Sequence, residues 1–138
     1  MQKQALIVGI SGVIGRALAE KLKAEGWNVA GLSRGRGAVP EGCTSLVADL
    51  TDADAVKVAL ASVKPDALFF SVWARQENEK ANIRVNGMMV KNVIDALGDR
   101  LSGTHVALVT GSTHYLRPLE AYGKGAAPVT PFRDKQGR

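Results

Sequence analysis

Gly9-Ile10-Ser11-Gly12-Val13-Ile14-Gly15 lies between the apolar run Ala5-Leu6-Ile7-Val8 and an amphipathic stretch that ends at Gly26. An apolar run that turns on glycines into a periodic segment predicts strand, tight turn and helix, and the helix start so reached carries unpaired N–H groups. Glycines let the backbone approach a diphosphate, and those N–H groups meet its negative charge. The spacing reads G-x-x-G-x-x-G, not the commoner G-x-G-x-x-G, and the triplet alone is a weak sign. Its context strengthens it. Val13, Ile14, Ala17, Leu18 and Leu22 recur at helical spacing, while Arg16, Glu20, Lys21, Lys23 and Glu25 fall largely on the other side and Gly26 supplies a stop. Gly9, Ser11, Gly12, Val13, Ile14 and Gly15 are therefore the expected cradle of a nicotinamide dinucleotide. The competing reading is a tight turn whose glycines serve packing only.

The next apolar run, Asn28 to Ser33, reads as a second buried strand. An NAD site would usually carry an Asp or Glu at its end, accepting from the ribose hydroxyls. This chain has Ser33-Arg34-Gly35-Arg36 instead. A guanidinium beside a hydroxyl suits a 2′-phosphate, and no carboxylate stands there to repel it, so the expected cofactor is NADP(H). Arg34 and Arg36 read alternatively as solvated loop charges.

Composition bounds the remainder. A chain of 138 residues with 46% hydrophobic content suffices for one domain with a true core. The single Cys43 excludes an internal disulfide, and with only two histidines a structural metal site is not expected. A reducing cytoplasm fits best. No signal-like stretch precedes the first strand and no apolar run approaches a bilayer span, so no membrane association is expected. The net charge of +5 is spread over helix faces and loops without an aromatic-rich basic patch, which argues against nucleic acid.

Short apolar runs alternate with helical stretches, the mark of βαβ units. Expected strands are Thr44 to Ala48, Ala67 to Val72 and Val106 to Thr110. Expected helices run from about Ala53 to Val63, capped by Thr51 or Asp52, and from Asn78 to Leu97, with Ile83, Val90, Val93, Ile94 and Leu97 inward. Right-handed crossovers give an α/β, doubly wound parallel sheet of order 3-2-1-4-5, with ligands over the carboxyl ends of its strands. At those ends Asp49, beside Leu50, meets an adenine amino group or caps a turn. Ser71, Val72, Trp73 and Ala74 wall the ribose and nicotinamide, or Trp73 simply packs. Asn86, a poor helix former inside a long helix, holds a bridging water or the backbone of strand four, or faces solvent.

After strand five comes Thr110-Gly111-Ser112-Thr113-His114-Tyr115-Leu116-Arg117-Pro118-Leu119-Glu120. With residues 9–22, 29–34, 47–52 and 85–97, this segment resembles the progesterone 5-beta-reductase and iridoid synthase-like family of atypical short-chain dehydrogenases, within the NAD-dependent epimerase/dehydratase superfamily. The resemblance implies a Rossmann domain and an NADPH-dependent reductase of an enone or activated carbonyl substrate. In such an enzyme hydride passes from nicotinamide to carbon while a Lys and a Tyr stabilise the developing oxyanion. Thr110 and Gly111 then border the cofactor. The family Lys falls on Thr113 and the Gly before Pro on Arg117, while the family Tyr lies downstream of Arg138.

The local candidates for catalysis are Ser112 and Thr113, as hydrogen-bond donors to a carbonyl, and Tyr115, as proton donor. Neither Tyr115 nor Tyr122 has the Lys four positions on that ordinary short-chain dehydrogenases use. The domain is expected over 1–115, followed by an extended tail over 116–138, in a truncated member of the family. A truncated sheet leaves strand five as an apolar edge, so a homodimer or higher homo-oligomer is expected there. A catalytically silent NADP(H)-binding module is the alternative function.

Overall fold

The computed structural model describes residues 2–110. Thus Gly111, Ser112, Thr113 and Tyr115, the boundary at 115 and the tail lie outside the described residues. Five strands form one parallel sheet: β1 (Gln4–Val8), β2 (Asn28–Ser33), β3 (Thr44–Val47), β4 (Ala67–Phe70) and β5 (His105–Leu108), in the order β3-β2-β1-β4-β5. Three helices connect them: α1 (Val13–Ala24), α2 (Ala53–Ala59) and α3 (Glu79–Leu97), the last running into a 3-10 turn over Gly98–Leu101. This is the expected doubly wound Rossmann sheet, with the switch between β1's two neighbours, β2 and β4.

Because β1 is central, both of its faces are buried. Leu6 and Val8 join Leu32, Leu68 and Phe70 in a core completed by Val56 and Leu60 of the α2 segment and Met89, Val93 and Leu97 of α3. Ala5 and Ile7 turn the other way and pack with Val29, Ile10, Ala19 and Leu22 under α1. Alternation along one strand thus places one helix on one face and two on the other.

Two helices bury Leu22, Val93 and Leu97 as expected but expose part of the row expected inward. On α1 the buried residues are Gly15, Ala19 and Leu22, while Val13 and Ile14 are exposed. The phase is set by Gly15, whose missing side chain lets the helix start lie against the Gly9 carbonyl. On α3 the buried row is Asn86, Met89, Val93 and Leu97, and Ile83 and Ile94 are exposed. A polar residue, Asn86, faces inward because it bonds the chain leaving β4.

Boundaries differ more modestly. β4 ends at Phe70, although the Ser71 N–H still donates to Val8 O at 2.9 Å, and β5 ends at Leu108. α2 stops at Ala59, four residues short of the expected end. The Arg100 guanidinium reaches the carbonyls that follow, bonding Leu60 O, Ala61 O and Val63 O.

Candidate functional site

At the carboxyl end of β1 the chain turns through Gly9 at φ +93°, a conformation that suits glycine, and any Cβ there would lie 2.9 Å from the Val72 nitrogen. Gly15 answers it from the helix. A Cβ on Gly15 would stand 2.2 Å from Gly9 O, well inside van der Waals contact. Gly12 is the N-cap of α1; no side chain caps the helix and its first turn holds no acidic residue. The helix start therefore offers N–H groups and positive potential with no internal carboxylate to answer them, a setting for an anion. Ser71 secures the turn from β4, its hydroxyl lying 3.2 Å from Val8 O and 3.3 Å from Gly9 O.

A cavity of about 550 Å³ opens over this turn. Its floor is the glycine turn, at Gly9, Ser11 and Gly12. The wall on the β2 side consists of Leu32, Ser33, Arg34 and Arg36. Gly35 and Gly37, at φ +79° and +87°, bend this loop back, and a Cβ on Gly37 would meet the Ser11 Cβ at 3.2 Å. Both arginines are thereby kept at the cavity while their side chains remain in solvent. Ser33 is buried and its Oγ accepts from the Gly35 N–H at 3.2 Å.

Beyond β3, Asp49, Leu50 and Thr51 extend the same wall. Asp49 Oδ1 accepts from the Thr51 N–H at 2.9 Å and from its hydroxyl at 2.7 Å. These bonds hold the carboxyl below its ordinary pKa, and the charge of Arg34 adds to the effect. So one Asp49 oxygen is engaged in a turn, while Asp52 caps α2 by accepting from Asp54 N–H and Ala55 N–H.

The opposite wall comes from the exit of β4: Ser71, Val72, Trp73, Ala74 and Gln76, backed by Val85 and Met89 of α3. Trp73 is 63% exposed, a rim residue and not a core aromatic. Asn86 does not line the cavity. Its Oδ1 accepts from the Ala74 N–H at 2.8 Å and its Nδ2 donates to Ala74 O at 2.9 Å, so it holds the chain beyond the end of β4.

Of the residues singled out from sequence, Gly9, Ser11, Gly12, Ser33, Arg34, Asp49, Leu50, Ser71, Val72 and Trp73 meet around one space. Gly15 and Asn86 stand behind it, Val13 and Ile14 are exposed on the first turn of α1, and Thr110 is exposed just past β5 without lining the cavity. Sequence reading overlooked Thr51, Gln76, Val85 and Met89 as lining residues, and Asn82 and Asn92 as residues that reach the walls. The repeated asparagines at 78, 82, 86 and 92, each a poor helix former, were the available signal for the last two.

The model of the NAD dependent epimerase/dehydratase family matches residues 5–136. An (S)-8-oxocitronellyl enol synthase of Camptotheca acuminata is 31% identical over 99% of this chain and 38% of its own length. A 3-oxo-Delta(4,5)-steroid 5-beta-reductase of Arabidopsis thaliana is 31% identical over 83% of this chain and 32% of its own. The chain thus spans about a third of the length of these curated relatives. The UDP-glucose 4-epimerase of Thermus thermophilus, solved with NAD, shares the fold at a TM-score of 0.75 and 22% identity, over 93% of this chain and 44% of that one. Among the described residues, no helix is long and apolar enough to cross a membrane.

Proposed function

The chain belongs to the NAD dependent epimerase/dehydratase family, and from that premise we propose that it binds NADP(H) as the cofactor-holding part of a short-chain reductase acting on an enone or activated carbonyl compound. The observation that carries the choice of cofactor is the pair Arg34 and Arg36 on the cavity wall at the end of β2, next to Ser33, where an NAD site would set a carboxylate. The nearest acid on that wall, Asp49, is engaged by Thr51 and lies within electrostatic reach of Arg34.

In this reading the uncapped start of α1 takes the diphosphate, Arg34 takes the 2′-phosphate, the Asp49–Thr51 wall receives the adenosine, and Ser71 to Ala74 border the nicotinamide half. Val13 and Ile14 contribute main-chain N–H groups, and Thr110 and Gly111 border the far end. The cofactor supplies hydride to a substrate carbon. Ser112 and Thr113 bond the substrate oxygen and Tyr115 delivers its proton. The two curated relatives whose names denote an enol synthase and an enone-type steroid reductase support the substrate class.

Titration of the purified chain with NADPH and with NADH, followed by nicotinamide fluorescence, tests the cofactor. Tighter binding of NADPH is expected. Arg34→Ala should weaken NADPH by roughly ten- to a hundredfold, the loss of charge-assisted bonds worth about 1.5–3 kcal/mol, and leave NADH nearly unchanged. Equal weakening of both coenzymes overturns the phosphate clamp.

One feature favours a second reading, a catalytically silent NADP(H)-binding module: Thr113 stands where the resembled family has a Lys and cannot offer a positive charge. NADPH consumption with a panel of small enones separates the two. We further propose that the protein works in the reducing cytoplasm, where Cys43 remains a thiol, and that it self-associates through β5.

A further inference from the structure

Helix α3 touches both walls of the cavity through amide side chains. Asn92 Nδ2 donates to Leu50 O at 2.9 Å, on the β3 side. On the β4 side, Asn86 takes the Ala74 N–H and gives to Ala74 O, while Asn82 Oδ1 accepts from the Gln76 N–H at 2.7 Å. These are backbone groups in irregular chain leaving the sheet, where no ladder partner orders them. Asn86 is 8% exposed and also donates to Asn82 O at 2.9 Å, so the two asparagines act on the β4 wall as a unit. Asparagine lowers helix propensity at each position, a standing cost that surface leucine or lysine would avoid.

We infer that α3 is the template that sets the separation of the two cavity walls, with Asn92 positioning the wall at Leu50 and Asn82 with Asn86 positioning the wall at Ala74 to Gln76. None of the three lines the cavity, so each acts through the backbone it holds. The inference rests on the NADP(H) reading for its ligand but not for its geometry. Since the walls belong to opposite halves of an extended dinucleotide, loosening one should affect one half of the ligand.

The test compares adenosine 2′,5′-bisphosphate, which carries only the adenosine half, with NADPH, by calorimetry on the full chain. Asn92→Ala should weaken both ligands by a similar factor, roughly three- to tenfold for one lost hydrogen bond. Asn86→Leu should weaken NADPH at least as much and leave the bisphosphate within about twofold of the unchanged chain. Where Asn86→Leu fails to fold, Asn86→Asp keeps the acceptor for the Ala74 N–H, loses both donors, and carries the same comparison. Both ligands weakening together in both variants, or neither changing in either, overturns the template.

Hydrogen exchange without ligand provides the second arm. The Ala74 and Gln76 amides should lose protection in the Asn86 variant, with the amides of β1 unchanged. Uniform loss across the sheet, or no loss at 74 and 76, overturns the inference. If the unchanged chain binds neither ligand, the cofactor reading falls, while the exchange measurement still decides whether α3 holds the walls.

Discussion

Gly12 and Gly15 belong to one motif, yet they are glycines for different reasons. A Cβ on Gly15 would enter the Gly9 carbonyl at 2.2 Å, against backbone that cannot swing aside. Gly15→Ala should therefore cost about 1–3 kcal/mol of stability through forced separation of turn and helix, read as a lowered urea midpoint, and cofactor binding should go with it. At Gly12, with φ −79°, the nearest atom to a Cβ is Gly9 O at 3.5 Å, an ordinary contact, but the residue faces the cavity. Gly12→Ala should keep its stability within about 0.5 kcal/mol and still lose NADPH affinity; a variant that binds as well as the parent would remove Gly12 from the floor of the site. Asp49 offers a prediction in pH. Its carboxyl is held low chiefly by the Thr51 bonds and only then by Arg34. A carboxyl depressed in the folded state contributes stability that is full above its unfolded value, about 3.9, and is lost as pH falls through the lower folded value. Carboxyl NMR titration should show this, and Thr51→Val should raise the folded pKa more than Arg34→Ala does. The reverse order would make the Arg34 charge a larger cause than the Thr51 hydroxyl bond.

Elements inherit their phase from such single contacts. The Asp52 cap, with two N–H donors at 3.1 Å each, starts a helix of only seven residues, too short to be stable on its own. Asp52→Ala should then cost about 1 kcal/mol, seen as a fall of several degrees in Tm, whereas Thr51→Ala, outside the cap, should cost less. Order, direction and number of elements were legible in the sequence because strands and helices alternate with clear stops at Gly26, Pro65 and Gly98. The glycine turn and the arginines after β2 were legible too, since they sit at fixed offsets from those elements. Helix phase was legible only in part, at Leu22, Val93 and Leu97. Counting apolar residues put Val13, Ile14, Ile83 and Ile94 inward, but the inward rows are decided by a glycine and an asparagine that meet backbone outside their own helices, Gly9 in the turn before α1 and Ala74 in the chain leaving β4. Apolar periodicity does not register contacts that a glycine or an asparagine makes with backbone outside its helix. Gly31 is a further case: a Cβ there would stand 2.3 Å from the Ile10 side chain, so the middle of β2 is a glycine because the turn buries an isoleucine against it.

At the scale of the molecule the two ends of the sheet are unequal. Beside β3 the loop carrying the arginines lies close, with the Gly35 Cβ position 3.1 Å from a Val47 methyl. β5 pairs with β4 alone among the described residues, and Val106, Leu108 and Val109 are each about half exposed. A parallel strand whose outer edge is unpaired among the described residues is a template for another strand, and a second copy related by a two-fold axis would present the same edge antiparallel to it. Four residues of ladder bury little, so the association should be modest, with neighbouring side chains required to approach the roughly 1,200 Å² of a stable interface. Sedimentation velocity should therefore show a monomer–dimer equilibrium that moves with concentration in the micromolar range. Leu108→Lys, which sets a charge at a half-exposed position of β5, should shift the boundary to monomer while leaving NADPH binding intact. A parent chain that sediments as a monomer at every concentration, or a Leu108→Lys chain that dimerises equally well, would show that β5 is not the surface through which copies meet.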